Sequence, residues 1–197
     1  MPELFKYGVS LDMSASGGMT DEEFYHFCRA NDHLRIERDA KGEIWIMSPT
    51  GGFTGLRNNE ISRQLGNWNY EYKLGYVFDS STGYKLANNA DRSPDVSWIK
   101  KEIFESLSQK EKERFLPIAP NFIIELKSKS DSLKQLKLKM EEWIENGCQL
   151  GWLIDPYDEK VYVYNHEGLT SIHEGFDIPI KANDLLPSFE LVLAELR

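Results

Sequence analysis

The sequence predicts an α/β (α+β) fold: a central mixed β-sheet flanked by helices, with antiparallel hairpins toward both ends of the chain. Three observations lead there. Strand-like apolar runs alternate with helical segments whose apolar residues recur every three or four positions. Paired runs near 35–47 and 150–164 are joined by short turn sequences. The 197 residues are 41% hydrophobic and show no internal repeat, low-complexity tract or flexible linker, so 1–197 is read as a single domain with its own core.

Thr20-Asp21-Glu22-Glu23 opens the first helix. Thr20 is placed to cap it and Glu23 to return the bond, and Phe24, Phe27 and Cys28 then share a face up to about Asn31. Residues 35–38 and 43–47 form a hairpin because Asp39-Ala40-Lys41-Gly42 supplies the turn. Ser48-Pro49-Thr50-Gly51-Gly52 breaks the pattern. A second helix is expected over 54–74, where Ile61, Leu65, Trp68 and Tyr72 keep helical spacing and Gly75 stops it. Short strands follow at 76–78 and 83–86. Another starts at Asp95, with Val96 and Trp98 on one face and Asp95 and Ser97 on the other. Residues 101–115 are charged and read as helical, and Pro117 and Pro120 bend the chain before an apolar strand over 121–127. Helix returns at about Ser132, with Leu133, Leu136, Met140, Trp143 and Ile144 as its stripe and Gly147 as its end. The runs 150–154 and 161–164 are the last strands expected.

The formal net charge of −9 argues against a nucleic-acid partner, since affinity for a phosphate backbone comes largely from Lys and Arg displacing counterions. Surface fields are screened over about 8 Å at physiological salt, so the local balance outweighs the total. Between 127 and 139 that balance reverses: Lys127, Lys129, Lys134, Lys137 and Lys139 stand against Asp131. Cys28 and Cys148 fit no zinc or redox spacing and read as buried free thiols of a reducing compartment, which places the protein in the cytoplasm. No run approaches the roughly 20 apolar residues that cross a bilayer, so no membrane role is expected. His26, His33, His166 and His173 form no ligand pair.

Asn121-Phe122-Ile123-Ile124-Glu125-Leu126-Lys127 is built like a buried strand, yet it carries two ionisable side chains. Such strands hold charge only when it is paired or bound to metal. Alternation puts Ile123, Glu125 and Lys127 on one face. Pro94-Asp95 lies 30 residues before Glu125. Bringing the two carboxylates together costs about 1–4 kcal/mol at roughly 4 Å, and a hard cation removes that cost. Carboxylate oxygens, the Leu126 carbonyl and water suit Mg2+ or Mn2+. Such a cation polarises a phosphate oxygen, and the amine of Lys127 complements it. The competing reading is a buried Asp–Lys–Glu ion cluster. Acid-x-lysine spacing recurs at Asp39, Glu71 and Asp158, so context has to decide.

Context comes from several blocks in order: Ser48-Pro49-Thr50-Gly51, Val77-Phe78-Asp79-Ser80, Arg92-Ser93-Pro94-Asp95-Val96, Phe122-Ile123-Ile124-Glu125-Leu126, Lys139-Met140-Glu141-Glu142-Trp143 and Gly151-Trp152-Leu153-Ile154-Asp155-Pro156. In these the chain resembles the Uma-two family of the PD-(D/E)XK restriction-endonuclease-like superfamily, over about 20–196. The resemblance implies a metal-dependent endonuclease that hydrolyses DNA phosphodiester bonds, with the cation at Asp95 and Glu125 and an amine near the attacking water. It also brings in Glu60, because an acid on the early helix often joins such sites. Many Uma-two members carry an apolar residue or arginine where this chain has Lys127, and their lysine where it has Lys139. Both are filled here, and strand geometry favours Lys127. A homodimer follows by analogy with enzymes that cut two strands. The alternative is a catalytically weak or inactive nuclease-fold protein acting as a nucleic-acid-binding or regulatory dimer.

Overall fold

The computed structural model describes residues 9–13, 17–182 and 184–197. In chain order its elements are β1 (Val9–Leu11), α1 (Asp21–Ala30), β2 (Arg35–Arg38), β3 (Ile44–Met47), α2 (Gly52–Tyr72), β4 (Gly75–Phe78), β5 (Tyr84–Lys85), β6 (Asp91–Arg92), β7 (Val96–Lys100), α3 (Lys101–Ser106), α4 (Gln109–Lys112), β8 (Phe122–Leu126), α5 (Leu133–Glu145), β9 (Leu150–Asp155), β10 (Lys160–Asn165), β11 (Gly168–Glu174), β12 (Ile180–Lys181) and β13 (Glu190–Leu191), followed by a 3-10 turn, Leu193–Leu196. They fall into two compact units. One comprises the described residues of Met1–Pro49 with Ser81–Ser93 and Ser108–Ala119; the other comprises those of Thr50–Ser80, Pro94–Leu107 and Pro120–Arg197.

The first unit holds a five-stranded antiparallel sheet in the order β1-β3-β2-β6-β5. The capping box at Thr20 forms as expected: its hydroxyl accepts from the Glu23 N–H at 3.3 Å, and the Glu23 carboxylate accepts from the Thr20 N–H at 2.8 Å. The hairpin forms too, with Gly42 at φ 86°, the left-handed region a glycine enters without strain. Phe24 is fully buried against Phe115, with ring centroids 6.2 Å apart.

The second unit is built on a six-stranded sheet, β11-β10-β9-β8-β7-β4, with the small pair β12-β13 beside it. Only β8 and β9 run parallel, because α5 carries the chain back between them; the remaining neighbours are antiparallel. The expected mixed sheet with flanking helices is therefore present. On one face Ile61, Leu65 and Trp68 of α2 pack on Trp98, Phe122, Ile124 and Trp152. Burying each such side chain contributes about 1.5–3 kcal/mol. On the other face α5 approaches closely: a Cβ at Gly151 would lie 2.5 Å from the Met140 methyl. Residues 123, 125, 151 and 153 thus face α5, and 122, 124, 152 and 154 face α2.

Strands β7 and β8 start one residue later than the sequence reading has them, β8 ends one residue earlier and α2 starts two residues earlier, and two further differences have a local cause. Helix α2 does not end on Gly75. Lys73 stops it in the left-handed conformation at φ 53°, donating its N–H to the Asn69 carbonyl. Gly75 starts β4, where a Cβ would collide with the Ile99 carbonyl and the Trp98 indole. The helix expected over 101–115 is two helices, because Ser108 makes its own capping box with Glu111 and starts α4 afresh. Strand β11 escaped the reading because most of its side chains are exposed and its apolar residues do not alternate.

Candidate active site

Glu125 and Asp95 meet at the end of the sheet where the parallel strands β8 and β9 finish. Their position follows from register. Val96 pairs with Ile124 and Ser97 with Ile123, and one further step sets Asp95 opposite Glu125. Both are buried, Asp95 at 9% and Glu125 at 3% exposure. Asp95 is tied to β8 by its Oδ2, which accepts the Leu126 N–H at 2.8 Å. Its Oδ1 accepts a long bond, 3.3 Å, from the side-chain amide of Asn58 on α2.

Glu125 is held from α5. Its Oε1 lies 2.9 Å from the Lys139 ammonium and accepts the Trp143 indole N–H at 3.0 Å. Lys139 and Trp143 are four residues apart, one helical turn, so one face of α5 presents both to the same oxygen. Sequence reasoning took Trp143 as packing alone; its spacing from Lys139 was the available signal.

Lys127 stands elsewhere. Strand β8 ends at Leu126, and the Lys127 N–H donates to the Ile154 carbonyl at 2.8 Å, extending the parallel register. That brings its ammonium to Asp155, 3.5 Å away, and to 5.0 Å from the Tyr157 ring centroid. Asp155 is itself a turn residue: its Oδ1 accepts the N–H groups of Tyr157 and Asp158 at 3.0 and 3.3 Å. Strand alternation favoured Lys127 as the amine, but the geometry places Lys139 on Glu125.

Glu60 is bound on α2 itself. Its Oε2 accepts the Arg63 Nε–H at 2.8 Å and its Oε1 accepts from Gln64 at 2.9 Å. The Arg63 hydrogen bond holds its carboxyl below the usual range, against partial burial. Two residues turn a helix by about 200°, so the face that sends Asn58 to Asp95 carries Glu60 away from it. Asn58 was missed because it interrupts the stripe Thr54, Ile61, Leu65 and Trp68, where a polar residue reads as noise.

A divalent cation has to fit these donors. Among the described residues no group of three or more His, Cys, Asp or Glu side chains is disposed to hold a metal. Mg2+ does not need one: it keeps several waters and binds through one or two carboxylates. Asp95 and Glu125, buried side by side, are hard oxygen donors of that kind. The cysteines are not. Cys148 is buried and its thiol is pushed up to about 12 by desolvation, and neither cysteine forms a disulfide.

The sequence model of a family described as "Uma2: Putative restriction endonuclease" matches residues 21–194. The chain belongs to this family. The Uma2 match spans the region that carries the sequence blocks, both carboxylates and both lysines. No curated protein matches the chain. Among solved structures, this Uma2 chain is similar to one described as a "putative nuclease belonging to DUF820 from Anabaena variabilis ATCC 29413", with TM-score 0.69 and 20% identity over 82% of this chain and 88% of that one. At that identity the likeness establishes the fold. None of the helices described is long and apolar enough to cross a membrane.

Proposed function

We propose that the protein is a nuclease that hydrolyses DNA phosphodiester bonds with Mg2+ or Mn2+, held by Asp95, Glu125 and the Leu126 carbonyl. The observation that carries this reading is the juxtaposition of two buried carboxylates at a strand end with one lysine amine 2.9 Å from Glu125. When bound, the cation supplies Lewis-acid polarisation of the phosphate and stabilises charge developing on it. The chain's own residues do the rest. Leu126 N–H fixes the Asp95 carboxylate, the Trp143 indole fixes Glu125, and the Lys139 ammonium donates toward the attacking water or the phosphate oxygens. Arg57 and Lys127, both against the Tyr157 ring, give a positive rim for the nucleic-acid backbone in spite of the acidic total. A cytoplasmic homodimer pairs two such sites for two strands.

The test is cleavage of plasmid and linear DNA with Mg2+ or Mn2+. Asp95→Asn and Glu125→Gln, which keep shape and remove charge, should lower the rate by about a thousandfold or more, the several kcal/mol such charge stabilisation supplies. Cleavage at the parent rate in either variant would refute the assignment. DNA binding with no cleavage by the parent protein would favour the non-catalytic alternative.

A further inference from the structure

Asn58 is the residue for which the proposed site has no assigned use. Its Nδ2 reaches Asp95 Oδ1 at 3.3 Å, long for a charge-assisted hydrogen bond, and its carbonyl Oδ1 is buried with no hydrogen-bond partner among the described residues. A buried acceptor left unsatisfied costs about 1–3 kcal/mol, so the amide gains from any rearrangement that gives Oδ1 a partner. The two amide heavy atoms share one carbon, which puts Oδ1 within about 6 Å of Asp95 Oδ1. Asn58 lies on the face of α2 that continues through Ile61 and Leu65 into the core, so helix packing holds its backbone in place.

We propose that Asn58 Oδ1 is a neutral ligand of the divalent cation, the third protein side chain of the site. The inference rests on the assignment of Asp95 and Glu125 as metal ligands. Its chemistry is that of a hard amide oxygen, which Mg2+ and Mn2+ accept alongside carboxylates. A turn of the amide about its last side-chain bond exchanges oxygen and nitrogen in one volume, so the group donates to Asp95 without the cation and ligates with it. A neutral third ligand also avoids adding a further negative charge to the two carboxylates. It gives α2 a direct role at the site, although Glu60, the acid of that helix expected there, is occupied by Arg63 and Gln64.

The experiment is titration of the full chain with Mn2+ alone, read by calorimetry, with the coordinated waters counted by paramagnetic resonance in 17O-labelled water. Asn58→Ala should weaken Mn2+ binding by about tenfold and add one coordinated water, whereas Asn58→Asp should restore the affinity and the water count. A purely structural Asn58 would leave the water count unchanged, and that result in Asn58→Ala, with parental affinity, overturns the inference while leaving Asp95 and Glu125 as ligands. No Mn2+ binding by the parent protein overturns both.

Discussion

Each of the two units carries a charge cluster around a buried acid, with Asp21 at the exposed edge of the first, and the clusters are built differently. In the first unit the Arg38 guanidinium donates to Asp91 at 2.8 Å, to the Met19 carbonyl at 2.6 Å and to Asp21 at 2.6 Å, and lies 4.5 Å from the Phe24 ring centroid. Lys85 joins the same two acids. Burial pushes the Asp91 carboxyl up while Arg38 and Lys85 pull it down. Two cations face two anions, and each named donor has an acceptor. In the second unit Asp95 and Glu125 share a strand end with Lys139, so the named groups carry one net negative charge, and an amide oxygen beside them is buried without a partner. The first cluster is complete as a structural lock. The second makes sense as the frame of something bound.

That contrast can be broken by removing the lock. Arg38→Met leaves buried Asp91 without its hydrogen-bonded guanidinium, with only the Lys85 ammonium at 3.6 Å, and should cost about 3 kcal/mol in urea denaturation, whether or not Mn2+ is present. A cost below about 1 kcal/mol would mean that burial of Asp91 does not depend on Arg38.

The next largest effect separates the two lysines. Lys139→Met should lower DNA cleavage by about a hundredfold or more, the usual size of a lost proton-transfer or orienting group. Lys127→Met should change turnover by about twofold and act mainly on DNA affinity and its salt dependence. The reverse ranking, measured under single-turnover conditions, would return the amine to the strand.

Much of this was legible before the structure. The capping box at Thr20, the hairpin at 35–47, the stripe of α2 and the charged residue inside an apolar strand are local patterns, and local patterns survive folding when nothing opposes them. What was not legible depended on distant partners. Lys127 and Glu125 share a face as alternation requires, but Asp155, on the neighbouring parallel strand, holds the Lys127 side chain, and no spacing along β8 reveals that neighbour. Lys139 was legible as a candidate through the resemblance to Uma-two members, which carry their lysine there; that it reaches Glu125 depends on how α5 sits over Gly151, where the missing side chain admits Met140. Asn58 was hidden by its chemistry: a neutral amide in a core stripe signals nothing until its oxygen is found buried and unanswered. The two-residue strands β6, β12 and β13 exist through their partners and leave no pattern of their own to find, whereas β5 falls within the strand expected over 83–86.

Crystals soaked in Mn2+ distinguish a carboxylate pair that holds a cation from a structural ion pair. A cation site gives an anomalous-scattering peak at ligand distance, about 2.1–2.3 Å, from oxygens of both Asp95 and Glu125, and that peak is lost in Glu125→Gln. A parent crystal with no peak there, and with Lys139 still bonded to Glu125, would rule out the cation site and leave the cluster an ion pair like that of Arg38.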